Sequence, residues 1–341
     1  MIRCEYIWLD GSKPTAQLRG KTKFLLSKKG MEEEWIADGS STGQAKAGPG
    51  EITDIILRPV RQYKDSRYTN GYLVMCEVFN VDGTPHKSNT RNALSKLAVL
   101  EEVEASLPRV GFEQEYFIMR EGDKRPLGFP YTDGEPEPQG PYYCSVGGTN
   151  AHGRALVDAH AEQCLDAGIS LCGINAEVAP GQWEYQIGGV KVGALKACDD
   201  LWVSRYLLHR QTESGYYISL EQKPVDGNWN GSGMHTNFST HAMRSAGGME
   251  AIERGCVLLG EQIDRHLEAY GDGYENRLTG DHETAKYDNF SWGVSDRSAS
   301  VRIPWNVSEA GRGYLEDRRP GANADPYRIM TAMITTVILE E

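Results

Sequence analysis

Paired cysteines, a basic excess and long apolar runs are all missing from this sequence, and each absence closes off a class of protein. The seven cysteines (Cys4, Cys76, Cys144, Cys164, Cys172, Cys198 and Cys256) are scattered, odd in number and never spaced C-x-x-C. Neither a disulfide framework nor a zinc knuckle is indicated, and they read as reduced. A formal net charge of -12 leaves no basic stripe for nucleic acid, but it leaves room for bound cations. The start, Met1 to Glu5, has no apolar signal region, and the late apolar segment Ile329 to Leu339 is too short to span a bilayer. A cytoplasmic protein with no membrane partner is expected. The four Asn-x-Ser sequons, at Asn230, Asn237, Asn289 and Asn306, therefore carry no glycosylation meaning. There is also no G-x-x-x-x-G-K-[ST] loop, so this is not a P-loop enzyme.

What is present is a chain of 341 residues, 39% apolar and 25% charged, long enough for one large domain and a smaller one. Residues 1 to about 83 hold β-patterned runs (Cys4 to Leu9, Leu18 to Leu26, Ile55 to Arg58, Tyr72 to Val78) separated by Asp10-Gly11, Pro49-Gly50 and Asn70-Gly71 turns. From Thr90, apolar residues at 94, 97, 98, 100 and 103 predict a helix up to Pro108. A domain boundary is expected near residues 83–88. Further helices are expected over Gly153 to Ala167, Asp199 to Glu213 and Met249 to Ala269, and the Pro/Gly-rich loop Leu127 to Tyr142 reads as a lining segment.

The run Gly111 to Ile118 reads as a strand, on which Glu113 and Glu115 emerge from the same face about 6–7 Å apart. A solvated strand face is the ordinary reading of such a pair taken alone. Ile174 to Ile187 reads as two strands joined at Pro180-Gly181, bringing Glu177 and Glu184 together. Asp38 precedes a glycine and fits a turn. Gly231 and Gly233 let backbone approach a ligand, and His235 beside them reads either as a ligand or as a structural histidine. Asn276 to Thr284 has the polar, Gly-hinged composition of a lid. Asp296 to Pro304 and Gly313 to Pro320 read as strands carrying Arg297, Arg302, Glu316 and Arg318, although a surface position is the ordinary reading of each arginine. Together, Glu113, Glu115, Glu177, Glu184, Glu316 and His235 form a hard, oxygen-rich set. It suits Mg²⁺ or Mn²⁺ rather than zinc, and more than one ion. Arg277, Arg297, Arg302 and Arg318 offer bidentate donors for phosphate and carboxylate. Metals and arginines around phosphate describe phosphoryl transfer.

Over nearly its whole length the chain resembles the eukaryotic-type (type II) glutamine synthetases. The likeness rests on segments matching in order and spacing: Asp38-Gly39-Ser40-Ser41, Glu113-Gln114-Glu115-Tyr116, Pro138 to Tyr143, Asn175-Ala176-Glu177-Val178, Gln182-Trp183-Glu184, Asn228 to Gly231, His235 to Ser239, Arg277 to Gly280, Arg297 to Pro304 and Glu316 to Pro320. The resemblance implies an α+β fold, with a small β-grasp-like amino-terminal domain (1–84) and a catalytic domain (85–341) built on a curved antiparallel sheet flanked by helices. It implies two or three Mg²⁺ or Mn²⁺ ions per site. One would be held by Glu115, Glu177 and Glu184, and a second by Glu113, His235 and Glu316. Arg302 and Arg318 would steady the transferring phosphoryl group, and Arg297 would contact ATP phosphate. Arg277, with Asn230 and Gly231, would hold glutamate, and Ser239 and Tyr314 would line the nucleotide pocket. Asp38, supplied by a neighbouring subunit, would bind ammonium and take its proton, and Glu283 would close over the acyl phosphate. Pentameric rings, two of them stacked, are implied as well. By the same resemblance, the leading helical extension of animal and plant members is expected to be missing ahead of the first strand. Gly43 to Ser66 shows no close likeness, and no adenylylation-loop tyrosine of the bacterial type is evident. Rival readings are a γ-glutamyl-amine ligase using a larger amine and a non-catalytic, ring-forming homologue. Asp38 and Glu283 favour ammonia over the first, and the complete ligand set speaks against the second.

Overall fold

The computed structural model describes residues 1–131, 134–212 and 215–340. Five strands come first: β1 (Ile2–Leu9), β2 (Leu18–Leu25), β3 (Trp35–Asp38), β4 (Asp54–Asp65) and β5 (Gly71–Asn80), in the order β2-β1-β5-β4-β3. β1 and β5 run parallel, and the remaining neighbours are antiparallel. The period-2 alternation buries both faces of this sheet. Cys4, Tyr6, Trp8, Val74, Cys76 and Val78 form its own core, while Ile7, Leu9, Leu73 and Met75 join the main core of the molecule. The sequence runs locate four of the strands; the four-residue β3 is additional.

Helices α1 (Thr90–Leu97) and α2 (Glu101–Ser106) stand where one helix was expected. Leu100 takes an extended conformation (ψ 141°), and Glu101, Glu102 and Glu104 fill the first turn of α2. Three acids there favour a new helix N-terminus, whereas the apolar spacing runs through the break. There follow β6 (Arg109–Arg120), α3 (Arg154–Ala167), β7 (Leu171–Ala176), β8 (Gln182–Gly193), α4 (Ala194–Arg210), β9 (Tyr216–Ser219) and β10 (Met234–Ser239). The chain ends through α5 (His241–Arg244), α6 (Met249–Glu261), α7 (Ile263–Leu267), α8 (Tyr274–Arg277), β11 (Trp292–Val294), β12 (Val301–Ile303), α9 (Trp305–Ala310), β13 (Leu315–Asp317) and α10 (Pro326–Ile334). The expected end of α4 at Glu213 lies outside the described residues, as do positions 132 and 133 of the expected lining loop.

The larger sheet has the order β11-β12-β13-β10-β6-β8-β7, with β9 also paired to β6. All its pairs are antiparallel except β11 with β12. α4 packs behind it, buried almost throughout from Ala197 to Leu208. Asp199 and Asp200 on this helix tie the two sheets together. Arg61 Nε and Arg91 Nε donate to Asp199 at 2.8 and 2.7 Å, and the Tyr63 hydroxyl donates to Asp200 at 2.9 Å. No helix among the described residues is long and apolar enough to cross a membrane.

Candidate active site

The centre of the larger sheet sets the site, because β6 lies between β10 and β8. Register places Glu113 opposite His235 and Glu115 opposite Glu184. On the next strands, Glu316 lies opposite both Asn237 and Arg302. Strand alternation then turns all these side chains toward one face. All of them except Asn237 line a cavity of about 590 Å³, which Asn230, Gly231, Arg277, Glu283, Arg297 and Arg318 border as well.

One part of this cavity sets two arginines against carboxylates. Glu316 accepts from Arg302 Nη1 and Arg318 Nη1, both at 2.7 Å. His235 Nδ1 is 3.4 Å from Glu113 Oε2 and 3.6 Å from Glu316 Oε1, and Asn237 Nδ2 donates to Glu113 at 2.8 Å. Although burial opposes it, the His235 and Asn237 contacts and the Arg318 charge hold Glu113 below the usual carboxylate range. Donor atoms of Glu113, His235 and Glu316 all lie within 4.8 Å of one another.

The opposite part gathers negative charge. Among the described residues no cationic side chain lies within salt-bridge distance of Glu115, Glu177 or Glu184. Burial, then the neighbouring Glu115, pushes Glu177 up to about 8. Burial, then Glu113, Glu115 and Glu177, pushes Glu184 up to about 9. Burial also raises Glu115, whose Oε2 accepts from Gly233 N at 2.9 Å. Like charges directly opposed across a strand pair are unfavourable. A divalent cation with a preference for oxygen relieves that repulsion, so both donor groups fit Mg²⁺ or Mn²⁺.

The solvated-face reading is set aside for Glu115 and the surface-arginine reading for Arg318, whereas Arg297 is exposed and Glu113 and Arg302 are half-buried. Glu115, Glu184, Glu316, Arg277 and Arg318 are all buried. Glu177, expected on a strand, lies one residue beyond β7, where its N–H donates to Gln182 O at 2.9 Å. Arg297, also expected on a strand, sits in a turn closed by Ser298 N and Oγ on Asp296. The strand itself is only Val301–Ile303, since the Asp296 turn takes up the residues before it. Ser239 and Tyr314 line a smaller cavity of about 200 Å³, which shares Glu113 and Gln186 with the first. Asp38 is exposed at the end of β3 and does not line the main cavity. Ser40 and Ser41 donate to its carboxylate at 2.7 to 2.9 Å and hold it below the usual range. The expected lid begins at α8 and is tied down by Thr284 Oγ1 on Arg277 O at 3.2 Å. Glu283 is exposed at its rim.

Sequence reasoning gave no role to Tyr143, Asn175, Gln182, Gln186 or His282, which also line the cavity. Period-2 spacing was the available signal for two of them, since Gln182 and Gln186 share the face of Glu184. Gln182 Nε2 donates to Gly231 O at 3.0 Å. Gln139 clamps Asn230, donating to its Oδ1 at 2.7 Å and accepting from its N–H at 2.8 Å.

A family model described as "Glutamine synthetase, catalytic domain" matches residues 87–247 and 275–339. The chain belongs to the glutamine synthetase family. It is 49% identical over 343 residues to a glutamine synthetase of Streptomyces hygroscopicus, covering 99% of this chain and 97% of that one. It is 46% identical to a glutamine synthetase cytosolic isozyme of Medicago sativa, covering 99% and 94%. In fold it resembles the glutamine synthetase of Plasmodium falciparum solved by cryo-electron microscopy. The TM-score there is 0.79 at 17% identity, over 99% of this chain and 71% of that one. The α+β architecture is that of the family, and the chain is accordingly an enzyme, a glutamate–ammonia ligase.

Proposed function

We propose that this cavity joins ammonia to L-glutamate at the expense of ATP, releasing L-glutamine, ADP and phosphate through a γ-glutamyl phosphate. The observation that carries the reading is that one cavity holds the directly opposed carboxylates Glu115 and Glu184 together with Arg302 and Arg318. Two or three Mg²⁺ or Mn²⁺ ions, when bound, would supply neutralisation of the ATP phosphates. Glu115, Glu177 and Glu184 would hold one, and Glu113, His235 and Glu316 a second. Arg277, with Asn230 and the Gly231 backbone, holds the substrate glutamate. Arg297, Arg302 and Arg318 bind the phosphates, and Arg302 and Arg318 brace the phosphoryl group in flight. The nucleotide enters the smaller cavity beside Ser239 and Tyr314.

Phosphorylation is needed because a carboxylate is a poor electrophile. A γ-carboxylate oxygen of glutamate attacks the γ-phosphorus of ATP, and ADP departs. Ammonia must then arrive as NH₃, so a carboxylate that binds ammonium and accepts its proton assists. Asp38 of an adjacent copy fills that role. Glu283 closes over the acyl phosphate, excludes water and accepts a proton from the forming amide. Nitrogen attack on the acyl carbon breaks the C–O bond and releases phosphate. The sharing of Asp38 implies a ring, which we take as pentameric and stacked in pairs. Residues 1–84 form the β-grasp-like domain and 85–341 the catalytic one, in a cytoplasmic enzyme with no nucleic-acid partner. Incubation with ATP, Mg²⁺, glutamate and ¹⁵N-ammonium tests the reaction. Label in the side-chain amide of glutamine supports the reading, and ATP hydrolysis without labelled amide overturns it.

A further inference from the structure

Arg205, on α4, is wholly buried on the side of β6 away from the cavity. Among the described residues it has no salt-bridge partner; its acceptors are neutral. Nε and Nη2 donate to Gln114 Oε1 at 2.8 and 2.6 Å. Nη1 donates to Ala324 O and Nη2 to Ala322 O, each at 2.9 Å, and Met234 Sδ lies 3.1 Å from Nη2. Burial pulls this guanidinium down to about 10. A well-packed apolar side chain would fill such a place at lower cost, so the cation needs another reason to be there.

Its acceptors supply one. Gln114 lies between Glu113 and Glu115 on β6 and points to the opposite face. Its own Nε2 donates to Glu115 O at 2.8 Å and to Ala322 O at 3.1 Å. Met234 pairs across from Gln114 and immediately precedes His235. The segment holding Ala322 and Ala324 continues from Glu316 and Arg318, and Met234 N donates to Pro320 O at 2.8 Å. One rigid planar fork thus grips all three segments that carry Glu113, Glu115, His235 and Glu316. A lysine ammonium, a single point on a flexible stem, cannot reproduce that span.

We propose that Arg205 is a positioning residue for the metal ligands, fixing β6, β10 and the segment after β13 relative to one another. The inference rests on the metal reading above. Mn²⁺ binding to the intact protein, followed by the electron paramagnetic resonance of the free ion, tests it without any turnover. Arg205→Lys is compared with Glu115→Gln and with Leu57→Ala, a substitution in the separate core of the amino-terminal sheet. Arg205→Lys weakens Mn²⁺ binding by about tenfold or more, the effect expected when the supports of metal ligands are lost. Leu57→Ala lowers the melting temperature and leaves the Mn²⁺ affinity as it was. Unchanged affinity in Arg205→Lys, with only a lower melting temperature, makes the arginine a core spacer and overturns the inference. If Arg205→Lys does not fold, Gln114→Met decides by the same readout. Unaltered Mn²⁺ binding in Glu115→Gln removes the metal reading itself, and this inference with it.

Discussion

Glu115 and Glu184 face each other directly across the β6–β8 pair, two buried carboxylates that no cationic side chain among the described residues approaches to salt-bridge distance. A carboxyl whose pKa rises on folding contributes fully below its unfolded value of about 4.3, and that contribution is lost as the pH climbs through the folded one. For Glu177 and Glu184 the folded values are about 8 and about 9. The metal-free protein should therefore lose stability between about pH 5 and pH 9. Mg²⁺ displaces the protons, so its stabilising effect should grow over the same range. Calorimetric melting in chelator and in Mg²⁺, at pH 6 and at pH 9, checks this. An Mg²⁺ increment that shrinks with pH would contradict it.

Glu184→Gln mimics the protonated carboxyl, so it should stabilise the metal-free protein while weakening the site. A gain of about 2–4 °C in melting temperature in chelator is expected, larger at pH 8 than at pH 6. The affinity for Mn²⁺ should fall about tenfold or more. A lower melting temperature in chelator would mean that the charge is neutralised by some other group.

Asp38 stands outside the main cavity of its own chain, with its carboxylate fixed by Ser40 and Ser41. Asp38→Ala should raise the KM for ammonium and leave that for glutamate nearly unchanged. If sites are shared between copies, inactive Glu115→Ala subunits reassembled with Asp38→Ala subunits should regain activity at ordinary ammonium, because some junctions then unite two intact halves. Activity no greater than that of the separate variants would place Asp38 outside catalysis.

Gly231 has no room for a side chain. A Cβ there would lie 2.2 Å from Gln222 O and 2.7 Å from Arg277 Cγ. Gly231→Ala should therefore displace Arg277 and lower kcat/KM for glutamate by about 10²-fold, the scale of a misplacement near 1 Å. Steady-state kinetics with glutamate and with ATP varied separately would detect it, the KM for ATP changing little.

The site was legible wherever strand periodicity governs. Glu113 with Glu115 follow from alternation along one strand, and Glu316 with Arg318 from the same spacing although β13 ends at Asp317, but what faces them across the sheet is a matter of register. Glu115 opposite Glu184 and Glu113 opposite His235 join residues tens of positions apart, and matched family segments rather than periodicity brought them together beforehand. Local chemistry explains the misreadings. The Asp296 turn took Arg297 out of its strand, and the acids of α2 broke a helix whose apolar spacing was continuous. β3, four residues paired with Asp54 to Leu57, is too short to show a pattern of its own. Gln182 and Gln186 carried the right spacing, but amides attract less attention than acids.

In the proposed reaction glutamate is phosphorylated before ammonia attacks, and the path of one oxygen reports that order. With glutamate labelled by ¹⁸O in its γ-carboxylate, the proposed acyl-phosphate route transfers one glutamate oxygen to each phosphate released. Mass spectrometry of the phosphate should find a single ¹⁸O per turnover, in step with glutamine formed and dependent on ammonium. Phosphate free of label, released while glutamine accumulates, would contradict the acyl-phosphate route and the roles assigned to Arg302 and Arg318.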